Sequence, residues 1–209
     1  LLKPTTTPED IVILCEEARK YNFYAVCISS SYVYLAAKEL KKSKVKVAAT
    51  VGFPLGTASK KAKVAEAKEC VKQGADEIDM VINIGFLKNE LYKSVREEIS
   101  EVKKAIGRRI LKVIIETCYL TDSEKRMACS IVIKAGADFV KTSTGFGPKG
   151  ATLEDVALIK EFVGNKIKIK ASVGIKDTET TLKYIEIGAH RIGTSSGVSI
   201  VFANQNSQL

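Results

Sequence analysis

One short phrase recurs along this chain and restricts its folding more than any other feature. Gly74-Ala-Asp-Glu-Ile-Asp79 returns as Gly136-Ala-Asp-Phe-Val-Lys141 and as Gly188-Ala-His-Arg-Ile-Gly193, with Asn22-Phe-Tyr-Ala-Val-Cys27 as a weaker copy. Each copy stops a helix and reaches the carboxyl end of a short apolar strand five residues later. A second phrase pairs Lys44-Val-Lys-Val-Ala48-Ala-Thr-Val-Gly-Phe53 with Lys166-Ile-Lys-Ile-Lys170-Ala-Ser-Val-Gly-Ile175. A strand–helix unit repeated in this way is what a β/α barrel is made of.

The spacing predicts strands over residues 24–28, 45–51, 77–82, 111–115, 138–141, 167–171 and 191–193. Helices are predicted over 8–21, 31–40, 59–73, 91–106, 121–135, 152–163 and 177–187. Strict alternation with short links implies a parallel sheet with crossover helices. Seven strands plus a stub at Leu1-Leu2 point to an α/β fold, the (β/α)8 TIM barrel, with 209 residues near its lower size limit. The first strand then reads as truncated at the N-terminus. No linker divides residues 1–209, which read as a single catalytic domain. An open doubly wound sheet is the rival, but no GxGxxG follows the first strand.

Composition removes several function classes. The longest uncharged run, 192–209, is rich in Ser, Asn, Gln and Gly, which hydrocarbon would not accept, so no membrane span is expected. Five scattered cysteines and the single His190 form no ligand-spaced cluster, so no zinc site is expected. Scattered thiols suit a reduced, cytoplasmic protein. The net charge of +9 lies largely in lysine runs such as 41–44 and 60–63, which read as solvated helix faces. No base-stacking motif accompanies them, so no nucleic-acid partner is expected. A positive field suits a small anionic substrate.

The repeat places Cys27, Asp79, Lys141 and Gly193 at one depth on alternate strands, with Lys170 on the strand beside Lys141. All would face the mouth where barrel active sites lie. A lysine ending an apolar strand is ion-paired, snorkels to water, or is a reactive amine. Two neighbouring lysines repel, which pushes one toward the neutral form that attacks carbonyl carbon. Asp79 can shuttle protons or pair with a lysine. The loops Ser172-Val-Gly-Ile175 and Gly193-Thr-Ser-Ser-Gly197 are small-residue candidates for an anion site at a helix start.

Lys141-Thr-Ser-Thr-Gly-Phe-Gly147, Glu77-Ile-Asp-Met-Val-Ile-Asn-Ile-Gly85, Val51-Gly-Phe-Pro-Leu-Gly56, Lys170-Ala-Ser172, Arg191-Ile-Gly-Thr-Ser-Ser-Gly197, Ile115-Glu-Thr-Cys118 and the opening Leu1-Leu-Lys-Pro-Thr-Thr-Thr closely resemble the deoxyribose-phosphate aldolase family. The resemblance covers essentially the whole chain. It implies a cofactor-free and metal-free Schiff-base aldolase on a (β/α)8 barrel. Such an enzyme reversibly splits 2-deoxy-D-ribose 5-phosphate into glyceraldehyde 3-phosphate and acetaldehyde, in deoxyribonucleotide catabolism.

It further implies that Lys141 forms the imine, that Lys170 depresses its pKa and moves protons, and that Asp79 is the acid/base partner. Gly174, Ile175, Gly193, Ser195 and Ser196 fall where the family holds phosphate, and Thr144 where a hydroxyl meets substrate. Cys27 matches a family cysteine near the pocket, with packing as its expected role. A homodimer is implied.

Two positions depart from the family. Val173 replaces the first glycine of a Gly-Gly pair, although Val51-Gly52 shows that Val-Gly is a workable local sequence. The family's Asp-His-Thr before Leu1, and the helix before that, are not in this sequence. The rival functions are another Schiff-base aldolase or transaldolase, and a catalytically dead phosphate- or nucleic-acid-binding barrel.

Overall fold

The computed structural model describes residues 1–206; residues 207–209 of the expected 1–209 domain lie outside the described residues. Seven parallel strands lie in chain order: β1 (Ala25–Ile28), β2 (Lys46–Val51), β3 (Glu77–Val81), β4 (Ile110–Ile114), β5 (Phe139–Lys141), β6 (Lys168–Ser172) and β7 (Arg191–Gly193). Between and around them run α1 (Pro8–Lys20), α2 (Val33–Glu39), α3 (Lys60–Gln73), α4 (Ile84–Lys88), α5 (Tyr92–Ile106), α6 (Asp122–Lys134), α7 (Leu153–Val163), α8 (Thr178–Ile187) and α9 (Gly197–Asn206). The result is a TIM-barrel-like fold that is partly open between β1 and β7.

The expected eighth strand is not formed. Leu1-Leu2 is irregular backbone, although the Leu1 amino group donates to the Cys27 carbonyl at 2.7 Å, beside the end of β1. Across the seam, the Arg191 guanidinium lies 3.6 Å over the Tyr24 ring, joining β7 to the entry of β1.

Helix starts follow local chemistry. Thr7 with Asp10, and Thr121 with Glu124, form reciprocal capping boxes for α1 and α6. Ser59, Thr152 and Asp177 cap α3, α7 and α8 through side-chain oxygens. Two helices were not legible. The single turn α4 is held by Asn83 accepting from the Phe86 amide, and is too short to show a 3.6-residue period. The uncharged α9 carries no acidic first turn or basic last turn to announce it.

The strand register turns the sequence repeat into geometry. Cys27 lies directly opposite Ala48, Asp79 opposite Lys112, and Lys141 opposite Lys170. These are equivalent positions of three successive strand pairs. The apolar alternate residues, among them Ile28, Ile78, Met80, Val113, Val140 and Ile169, are buried in one continuous core that holds the strands at this register.

One reading of the lysine runs is overturned. Lys63 does not lie on a solvated face but is fully buried. Its ammonium donates to the carbonyls of Gly56 (2.7 Å) and Val81 (2.8 Å) and meets Glu98 at 2.8 Å. α5 packs against α3 and brings Glu98 to it, a pairing that no local pattern in α3 announces.

Candidate active site

Side chains from β3, β4, β5 and β6 converge on one buried carboxylate; Lys141 ends its strand, while Asp79, Lys112 and Lys170 lie at the middle of theirs. Asp79 Oδ2 accepts from Lys141 and from Lys170, both at 2.8 Å, while Oδ1 accepts from Lys112 at 2.7 Å. Asp79 is fully buried, and the three lysines are almost so. The Cys27 thiol, half-buried, lies 3.7 Å from Asp79 Oδ2. The four residues that the repeat assigned to this end of the barrel thus include three that meet, with Lys170 joining from the neighbouring strand. Gly193 sits against the same cluster, because a Cβ there would fall 3.1 Å from Lys170 Cε.

The electrostatics separate the lysines. Burial, followed by the charge of Lys170, pushes the Lys141 amine below the ordinary lysine value against the pull of Asp79. Burial works against Lys170 too, but the Asp79 carboxylate carries it above the ordinary value. Burial opposes ionisation of Asp79, yet Lys112, Lys141 and Lys170 together hold it well below the usual carboxylate range. The site therefore contains a suppressed amine, an ammonium and an ionised carboxylate within direct contact. That set can form an imine and move protons around it.

The loops after β6 and β7 come together. Val173 N donates to the Gly193 carbonyl at 3.0 Å, and Thr194 Oγ1 donates to the Ile175 carbonyl at 2.6 Å. Gly174 and Ser195 are exposed, Ser196 is half-buried immediately before α9, and the Ile175 side chain is buried, leaving its backbone to act. Thr144 lies beyond β5 and is buried.

The sequence pattern of the DeoC/LacD family aldolases matches residues 1–202. The chain belongs to this aldolase family. It is 54% identical to the deoxyribose-phosphate aldolase of Coprothermobacter proteolyticus, over 96% of this chain and 92% of that protein. Among solved structures it is similar to QR15, described as an aldolase, at 45% identity and a TM-score of 0.96, covering 100% of this chain and 93% of that one. It is also similar to a deoxyribose phosphate aldolase from Aeropyrum pernix, described as tetrameric, at 30% identity and a TM-score of 0.89, covering 99% and 88%.

In this aldolase the sequence reading missed three buried groups at the site. Lys112 and Glu77 form an ion pair beneath Asp79. Glu116 accepts from the Thr144 amide (3.1 and 3.2 Å) and from its hydroxyl. With its proton committed to Glu116 and its oxygen also accepting from the Phe146 amide (3.0 Å), the Thr144 hydroxyl can only accept from a ligand.

A signal for two of the three was present. Arg108-Arg-Ile-Leu-Lys112-Val-Ile-Ile-Glu116 is a third copy of the second phrase. It sets Lys112 level with Ala48 and Lys170, and Glu116 level with Gly52 and Gly174. The backbone agrees, with positive φ at Glu116 (51°), Gly52 (61°) and Gly174 (82°).

Val173 also has positive φ, 78°, a conformation that a β-branched residue avoids. The analogy with Val51-Gly52 fails here, since Val51 is an ordinary strand residue. Among the described residues no group of three or more His, Cys, Asp or Glu side chains is placed to hold a metal ion. Among the described residues no helix is long and apolar enough to cross a membrane.

Proposed function

We propose that the chain, acting as one catalytic domain over residues 1–209, carries out the deoxyribose-phosphate aldolase reaction by Schiff-base chemistry. Neutral Lys141 attacks the C1 aldehyde of open-chain 2-deoxy-D-ribose 5-phosphate. Loss of water gives an iminium, which accepts the electron pair of the C2–C3 bond as a base takes the C3 hydroxyl proton. Glyceraldehyde 3-phosphate leaves, the enamine is protonated at C2, and water releases acetaldehyde and the amine. Atoms balance without a metal or a cofactor.

Asp79 and Lys170 move the protons, directly or through water. Thr144 accepts a hydrogen bond from a substrate hydroxyl. The backbone of Gly174, Ile175 and Gly193, with Ser195 and Ser196, receives the phosphate at the start of α9. Cys27 packs near the reacting centre and takes no part in turnover.

The observation carrying this reading is that two buried lysines on adjacent strands press on one carboxylate oxygen. The C. proteolyticus relative, named for this reaction, supports the choice of substrate. Incubation with deoxyribose 5-phosphate and borohydride tests it: peptide mass spectrometry is expected to find a stable two-carbon adduct on Lys141. A three-carbon adduct there, or none, would refute the assignment.

The five cysteines are all free, which supports a reducing, cytoplasmic setting. The assembly implied by the family resemblance is a homodimer, while the A. pernix relative is described as a tetramer. Sedimentation equilibrium distinguishes the two.

A further inference from the structure

Five Lys, Asp and Glu side chains are linked around Asp79 among the described residues; three belong to the proposed chemistry, and two do not. Lys112 lies directly across from Asp79 in the strand register and binds Oδ1, the oxygen that Lys141 and Lys170 leave free. It is buried, and its ammonium is taken up by two carboxylates, Asp79 and Glu77. Glu77, two residues before Asp79, is equally buried, and neither of its oxygens has an aligned hydrogen bond among the described residues. Its one contacting cation there is Lys112. An isolated buried carboxylate costs several kcal/mol, roughly, unless a counter-charge offsets it.

The charges close when counted. Lys112 and Lys170 as ammonium ions offset Asp79 and Glu77 as carboxylates, and Lys141 completes the cluster as a neutral amine. A third ammonium would leave this linked cluster with uncompensated positive charge; the buried Glu116 pairs with none of its lysines among the described residues and is held instead by the Thr144 amide and hydroxyl. The other groups facing the cluster are the Cys27 thiol from β1 and the Leu1 amino group beside it. β2 contributes Thr50, which carries no charge, and β7 contributes Arg191, opposite Lys170 in register and turned toward Tyr24.

We propose that Lys112 is a positioning residue, balanced by Glu77, that pins the Asp79 carboxylate through Oδ1 and makes Lys141 the amine of the cluster that goes uncharged. Lys112 acts through Asp79 and touches no reacting atom. This rests on the Schiff-base reading above, and the test separates the two.

The test measures borohydride trapping of Lys141 by acetaldehyde against pH in four folded proteins. Lys112→Met removes one positive charge, so the Lys141 ammonium is stabilised. Its trapping midpoint is expected to move up by about one pH unit, about ten-fold less neutral amine at a fixed pH. Glu77→Gln removes one negative charge and is expected to move the midpoint down. The double variant Lys112→Met/Glu77→Gln restores the balance and is expected to return most of the way to the parent midpoint.

A bracing role without charge control predicts no opposed shifts and no return in the double variant, and either result overturns the proposal. Should Lys112→Met not fold, the direction of the Glu77→Gln shift decides alone: downward supports the proposal, while no shift or an upward one overturns it. Absence of any adduct on Lys141 in the parent protein would instead be the failure of the Schiff-base reading.

Discussion

Lys63 and Lys141 are both buried lysines, each facing a carboxylate at 2.8 Å, and burial pushes both below the ordinary lysine value. By shift direction they are indistinguishable. By hydrogen-bond valence they differ. An ammonium has three N–H donors. Those of Lys63 meet Gly56 O, Val81 O and Glu98, so every donor has an acceptor. Lys141 meets one protein acceptor among the described residues, and it shares that oxygen with Lys170. A saturated ammonium is a structural clamp. An unsaturated amine beside a competing ammonium is held ready to lose a proton. Lys170 meets the same single acceptor but is raised, so the direction of the shift and the count of acceptors together single out Lys141.

Exchanging the side chains at the two positions breaks or sharpens that contrast. Lys141→Arg is expected to abolish both trapping and aldol cleavage while the protein still folds, because guanidinium keeps its proton. Residual cleavage at the parental rate would return Lys141 to the class of Lys63. Lys63→Met is the converse. It strands Glu98 and two buried carbonyls, and unfolding should become easier by about 3–5 kcal/mol, read by denaturant titration. Adduct formation on Lys141 in the folded fraction should persist. Loss of trapping without loss of stability would place Lys63 in the chemistry.

Lys170→Leu tests the competition itself. Removing the like charge leaves Asp79 to Lys141 and Lys112, which favours the Lys141 ammonium. The pKa of Lys141, lowered in the parent, then rises, and the neutral fraction at any pH below it falls. The rate should therefore climb at higher pH than in the parent, with about ten-fold lost near neutrality for each unit of displacement. A superimposable pH profile would remove Lys170 from its assigned role.

The same contrast explains what the sequence could disclose. The five-residue interval after each helix stop brought Asp79 and Lys141 to one depth, because it reflects the stagger of a parallel barrel, although only Lys141 ends its strand. Lys170 came with them by adjacency. Lys63 was hidden because its partner lies on α5, thirty-five residues away in sequence, and within α3 it resembles its solvated neighbours. Lys112 and Glu116 were hidden differently. Lys112 stands where the other copies carry Ala48 and Lys170, and Glu116 where they carry Gly52 and Gly174; this copy lacks the closing Val-Gly that ties the other two together, and so was masked. The open seam at Leu1-Leu2 is a matter of pairing across the sheet, which two residues of apolar sequence do not determine.

The contrast extends to the backbone, and there the smallest effect is expected. Around Lys63, positive φ falls on Gly52 (61°) and Gly56 (71°), where it carries no steric cost. Around the lysine cluster it also falls on Glu116 and Val173. For a β-branched residue that conformation costs about 1–3 kcal/mol. Val173→Gly removes the strain, but it adds about 0.5–1 kcal/mol of chain entropy to be lost on folding. It also gives up the contact of Val173 Cγ2 with the backbone at Gly145, where a Cβ would lie only 3.2 Å away. The terms nearly cancel, and a gain in stability below about 1 kcal/mol is expected from thermal unfolding. A clear loss would mean that the valine braces the loop carrying Thr144 more than it strains its own. The site end of the barrel would then be held by packing, as the Lys63 region is held by saturated hydrogen bonds.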